Sequence, residues 1–141
     1  MNKKSNLIVQ WILISLFCFR VFAQIATKFK ELSFLPPFES WYSGSMPYEL
    51  LLVLQLIIIL AMFRFSIKFG KNDILQNIKR GKIIIIIGTI YFIMMIGRLI
   101  IGLMGLSEAR FFANYLTTSF HFVLASYLIL CGFVYVKDNE Q

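Results

Sequence analysis

The chain is poor in the residues that carry most soluble chemistry. Its 141 residues include two cysteines, one histidine, three prolines and seven acids. Cys18 and Cys131 stand alone, with no C-x-x-C between or beside them, which argues against a dithiol redox motif. A single histidine with no acid in the apolar interiors to assist it makes no metal cage. Glycine-rich phosphate loops, H-E-x-x-H and G-x-S-x-G are all missing, so P-loop, zinc-protease and α/β-hydrolase chemistries drop out. Charge is scarce too: 15% of residues are charged and 59% hydrophobic, against about 25% and 45–50% in a typical soluble domain.

The apolar surplus falls into four stretches. A bilayer core of about 30 Å needs roughly 20 helical residues, and residues 7–27, 48–65, 83–105 and 111–136 come close to or exceed that length. Runs such as Ile83 to Ile87 show no alternation, which disfavours a barrel of strands. The expected fold is a single all-α domain, a polytopic antiparallel four-helix transmembrane bundle. Ser45, Pro47 and Glu49 supply a capping hydroxyl, a first-turn proline and a first-turn acid for the second span. Gly105 and Ser107 mark a stop and a restart, so the third and fourth spans form a hairpin.

Orientation follows from the basic residues. Lys3, Lys4, Arg64, Lys68, Lys71, Lys79, Arg80, Lys82 and Lys137 fall on one side, and Lys28, Lys30 and Arg110 on the other. The positive-inside rule places both termini and the basic loop 66–82 in the cytoplasm, with loop 28–47 outside. Loop 66–82 lacks interleaved aromatics, so its charge points to anionic lipid headgroups and not to nucleic acid. A competing reading of the first segment is a cleaved secretory signal ending at Val21-Phe22-Ala23. Arg20 beside that point, and a helical pattern that continues past it, speak against removal. Cys18 and Cys131 sit about 16 Å and about 7 Å from the cytoplasmic ends, too different in depth for a disulfide.

The informative residues are the polar ones inside the spans. Arg20, Gln55 and Arg98 lie about 10 Å, and His121 about 15 Å, below the outer boundary. Arg20, Gln24 and Thr27 share one helical face, as do Asn114, Thr117, Thr118 and His121, and as do Tyr91, Met94, Arg98, Gly102 and Gly105. If these stripes face the bundle axis, they form an outward-opening electropositive pocket. Its ligand-binding set is Arg20, Gln24, Gln55, Arg98 and His121. Unpaired guanidinium charge in a membrane costs several kcal/mol, so a partner is required. Glu39, Glu49 and Glu108 at the span boundaries are candidate charge partners, with Glu31. Glu39 and Trp41 are candidate lid residues, and the aromatics of their loop equally suit an interfacial belt. A small anion, a lipid phosphate or a quinone-type carbonyl would fill the same role, and no cofactor or metal is evident.

The layout resembles the DoxX-like group of small four-span bacterial membrane proteins. The carriers are Arg20 followed by Lys28 or Lys30, the prolines of the first outer loop, and Gln55 in the second span. The family pattern has a glycine between the Arg and the Lys and an acid where Gln55 stands. The resemblance implies a bacterial inner membrane and an accessory role around quinone or thiol oxidoreductases. Two other functions compete with ligand binding: a non-catalytic subunit whose polar stripes and glycines dock on a larger complex or a second copy, and a small transporter. Nothing in the sequence demands an enzyme.

Overall fold

The computed structural model describes residues 2–41, 44, 46–75, 77–105 and 114–137. Five helices occur among them, and no strand: α1 (Lys3–Phe29), α2 (Phe38–Trp41), α3 (Tyr48–Gly70), α4 (Ile78–Leu103) and α5 (Tyr115–Lys137). All but α2 are long and apolar enough to cross a membrane. The chain is a multi-pass membrane protein, a four-helix bundle with the bilayer as its surroundings.

Local chemistry sets the helix ends. The Asn2 side chain accepts the Ser5 N–H at 2.9 Å and starts α1, and Asn77 does the same for α4 through the Arg80 N–H at 3.0 Å. Asn114 accepts the Thr117 N–H at 3.0 Å at the head of α5, each covering a donor that a helix start leaves unpaired. Helix α4 ends where Gly105 takes a φ of 63°, a left-handed conformation that glycine adopts without a Cβ penalty. The expected cap of α3 differs: Pro47 occupies the cap position itself and makes no side-chain cap hydrogen bond, while Ser45 lies outside the described residues, as do Ser107, Glu108, Arg110 and Phe111.

Helices outrun the apolar spans. Helix α3 continues to Gly70 and α4 begins at Ile78, so the basic segment expected as loop 66–82 is largely helix. A helix stays hydrogen-bonded within itself whether its side chains are apolar or charged, and lysine stems reach the headgroups from its ends.

Short links place the helices antiparallel. Lys3 at the start of α1 bonds Asn72 just past α3, and the Tyr115 hydroxyl at the start of α5 donates to the Gly102 carbonyl near the end of α4 at 3.1 Å. Around the bundle the order is α3, α1, α5, α4, with α2 resting on α1 and α5. Helices α3 and α4 make at most glancing contact.

The burial pattern is inside out relative to a soluble protein. Leu60, Ile86, Ile90, Ile93 and Leu103 face outward, whereas Gln10, Arg20, Gln24, Gln55, Ser66, Arg98 and Thr118 are buried. Lipid tolerates the first set and offers the second no hydrogen bond, so polar side chains turn to each other. An apolar cluster of Ile14, Phe17, Val21, Met62, Tyr127 and Cys131 fills the middle, with Cys18 packed against it and both cysteines free.

Close approach of α4 and α5 depends on glycine. A Cβ on Gly132 would lie 2.5 Å from Ile85 Cγ1 and 2.9 Å from the Gly81 carbonyl oxygen, and one on Gly88 would lie 2.9 Å from Ile129 Cγ1. Backbones can meet this way only where small residues leave room. The glycines Gly81 and Gly88 are thus used inside the chain, against its own α5. Gly132→Ala should lower thermal stability in detergent by about 1–3 kcal/mol through overpacking. Gly97→Ala, whose Cβ would meet nothing within 4 Å, should leave the melting temperature unchanged or raise it.

Candidate functional site

One end of the bundle holds a cavity of about 280 Å³. We call it the Trp41 end, and the opposite one the Lys3 end. Every helix contributes to the cavity wall: Phe17 and Arg20 from α1, Trp41 from α2, Leu51, Leu54, Gln55 and Ile58 from α3, Tyr91, Met95 and Arg98 from α4, and Thr117, His121 and Leu124 from α5. Four of the five residues expected from sequence, Arg20, Gln55, Arg98 and His121, therefore meet at one place. Arg20 and Arg98 are buried and do not reach out to the headgroups. The walls between the polar groups are apolar, so the site is less uniformly polar than the stripes suggested.

The helical register explains the convergence. Arg20, Gln24 and Thr27 recur along one buried face of α1, and Asn114, Thr117 and Thr118 along one buried face of α5. On α4 the inward residues are Tyr91, Met95 and Arg98; Met94, expected on that stripe, is 61% exposed. Spacings of three and four residues share a helical face only loosely, and here the register selects i+4. Gly105 is exposed, and a Cβ placed on it would meet nothing within 4 Å, so it makes no close packing beside the Arg98 guanidinium.

Gln24 does not line the cavity. Its Nε2 donates to the Trp41 carbonyl at 3.2 Å, and its Oε1 accepts from Gln55 Nε2 at 3.1 Å. That chain fixes both amides. A carbonyl only accepts, so Gln24 turns its NH₂ to Trp41 and its oxygen to Gln55, which must answer with NH₂. Among the described residues Gln55 Oε1 is left without a hydrogen-bond partner, as are Arg20 Nε and Thr117 Oγ1, all of them buried. Neighbouring hydroxyls behave differently: Thr27 and Thr118 donate back to the Ala23 and Asn114 carbonyls at 2.9 and 3.0 Å.

Trp41 closes the end of the cavity. It is 2% exposed, stacks obliquely on Phe120 at 6.0 Å, meets Phe19 edge-on, and donates its indole N–H to the Pro36 carbonyl at 3.0 Å. It is a buried plug and not a surface belt residue. Of the acids expected near the arginines, the three that are described are placed elsewhere. The Glu39 side chain is exposed, and its backbone carbonyl accepts from Asn114 Nδ2 at 3.2 Å. Glu49 sits 3.7 Å from Lys28 Nζ at the surface, Glu31 is exposed, and Glu108 lies outside the described residues. The Arg20 guanidinium packs over the Phe120 ring at 5.5 Å, and His121 Nδ1 is hydrogen-bonded to the Tyr91 hydroxyl.

No family model, curated protein or solved structure matches this chain. Among the described residues, no group of His, Cys, Asp and Glu is placed to hold a metal.

A second polar cluster lies at the Lys3 end, where residue order carries little sign of it. Ser66 Oγ donates to Gln10 Oε1 at 2.7 Å, and the Tyr127 hydroxyl lies 2.8 Å from both Ser66 Oγ and the Met62 carbonyl. Gln10 Nε2 donates on to Asn6 at 2.9 Å. Serine and tyrosine are ordinary in apolar helices, so only the spacing of Gln10 one turn after Asn6 gave a sign of it.

With Trp11→Phe as background, Trp41 becomes the only tryptophan and its emission reports on the cavity end. Gln24→Leu should cost about 1 kcal/mol of stability and shift Trp41 emission. Tyr127→Phe should cost a similar amount and leave that emission where it was.

Proposed function

We propose that this membrane protein binds the anionic group of a small or membrane-borne ligand in the cavity between Arg20 and Arg98. One observation carries the reading: Arg20 is 4% exposed, borders the cavity, and keeps an Nε hydrogen that no group among the described residues accepts. Guanidinium stays charged at any physiological pH. Burying it costs several kcal/mol unless it is paired. Contact with the Phe120 ring offsets about 2 kcal/mol of that, and no acid lines the cavity among the described residues. An anion meets the remaining need, since charge-assisted hydrogen bonds are about twice as strong as neutral ones.

The other groups suit that role. Thr117, another lining residue, offers a second donor in its buried Oγ1. His121, hydrogen-bonded at Nδ1 to the Tyr91 hydroxyl, adds a further polar group to the lining. Trp41 and the apolar wall keep water away, which strengthens each contact. The charge distribution expects the Trp41 end to face out of the cytoplasm. Gln24 acts behind the site, by orienting Gln55.

Native mass spectrometry of the full chain, released gently from membranes, tests this. A bound small mass is expected on the wild type, with occupancy lowered about 10- to 100-fold in Arg20→Gln and in Arg98→Leu, the loss of a hydrogen bond to a charged group. Identical adducts in all three proteins, or none in any of them, would overturn it.

A further inference from the structure

On one side of the cavity the lining helices are not packed together. Helices α3 and α4 scarcely touch, yet both line it. Leu54 lines the cavity and is 41% exposed on the outer surface of the bundle, so the wall at the α3–α4 seam is also lipid-facing surface. A route through that seam would bring a molecule dissolved in the bilayer to the cavity without passing Trp41. The space inside is about 280 Å³, just under the roughly 300–1,000 Å³ of sites that enclose a drug-sized ligand. A headgroup fits there and two acyl chains do not, which leaves the chains along the seam against Leu54 and its apolar neighbours.

The unpartnered atoms define the headgroup further. Arg20 Nε is a buried donor on a cation and calls for an anionic acceptor. Gln55 lines the cavity with its amide fixed by the chain from Trp41 through Gln24, and its Oε1, a buried acceptor without a partner among the described residues, calls for a donor. A quinone or a plain phosphate diester supplies the acceptor alone. An ammonium group supplies a donor but sets a positive charge beside two arginines. A hydroxyl answers Gln55 with no added charge.

From this we infer that the ligand is a lipid whose headgroup joins a phosphodiester anion to a free hydroxyl, and that it enters sideways between α3 and α4. The inference deepens the anion reading of the same cavity and rests on it. Arg20 holds the phosphate, Gln55 takes the hydroxyl hydrogen, and Leu54 flanks the passage.

The test is lipid titration of the purified full chain, read by native mass spectrometry and by melting temperature. Four probes separate the terms: phosphatidylglycerol, phosphatidylethanol (the same charge without a hydroxyl), phosphatidylcholine, and water-soluble glycerol 3-phosphate. Phosphatidylglycerol should bind about three- to tenfold more tightly than phosphatidylethanol, the worth of one hydrogen bond. Phosphatidylcholine and glycerol phosphate should bind least. Arg20→Gln should weaken both anionic lipids alike, and Gln55→Leu should remove only the preference between them. Leu54→Trp, at the exposed mouth, should weaken phosphatidylglycerol while the lipid-stripped protein melts unchanged, and it tests the passage even if the arginine variant fails to fold. Equal, Arg20-dependent binding of the two anionic lipids would overturn the hydroxyl assignment and leave the anion site standing. Arg20-dependent binding of glycerol phosphate in preference to the lipids would overturn the sideways route. Lipid binding indifferent to Arg20 would overturn the inference together with the reading beneath it.

Discussion

Hydrocarbon accepts and donates no hydrogen bonds, and the arrangement of this bundle follows from that constraint. Each apolar helix satisfies its own backbone, so what is left to place are the side chains that lipid cannot satisfy. They turn inward: Gln10, Arg20, Gln24, Gln55, Ser66, Arg98 and Thr118 are buried, while Leu60, Ile90 and Ile93 face out. Association in a membrane has little hydrophobic drive of its own. Polar links between helices and close backbone contact at glycine therefore hold the four spans together. The interior is a polar seam in two pieces, separated by the Ile14–Phe17–Met62–Tyr127 core.

The two pieces differ in a way that bears on function. At the Lys3 end, Gln10, Ser66, Tyr127 and the Met62 carbonyl form a closed chain, each member within hydrogen-bond distance of the next. That is what structural glue between helices looks like. At the Trp41 end a similar chain runs from Trp41 through Gln24 to Gln55 and stops, leaving Gln55 Oε1, Arg20 Nε and Thr117 Oγ1, on three residues that line the cavity, without a partner among the described residues. An unmet buried polar group costs about 1–3 kcal/mol. One such atom would be ordinary. Three on residues that line a single cavity, one of them a permanent cation, are the observation on which the proposed anion site rests.

Much of this was legible from residue order, for physical reasons. Span length is dictated by bilayer thickness, so four apolar stretches gave four helices. Depth and helical period together brought Arg20, Gln55, Arg98 and His121 to one cavity, because residues at equal depth on inward faces must converge. Finer points were hidden. The choice between Met94 and Met95 depends on helix rotation, which packing sets and periodicity leaves loose. The relay role of Gln24 depends on where α2 puts the Trp41 carbonyl, and a four-residue helix in a proline-rich connection leaves no periodic trace. Hydropathy detects the apolar core and not the helix, so it stops short of the facing ends of α3 and α4, which continue through Lys68 and Lys79. The Ser66–Tyr127 pair carries no signal, since either residue alone sits in apolar helices without consequence.

Glycine explains where the bundle is tight and, by contrast, where it is open. Gly81, Gly88 and Gly132 let α4 lie against α5 with backbone nearly touching backbone, and that draws α4 away from α3. Helix α3 is held instead to α1, through Gln55 to Gln24 and Ser66 to Gln10. With one pair fixed by glycine and the other by polar links, α3 and α4 are left as the two uncoupled neighbours. The seam between them is also where Leu54 from one side, and Met95 and Arg98 from the other, border the cavity. The packing that stabilises the fold thus leaves α3 and α4, which both line the arginine cavity, without a close contact of their own.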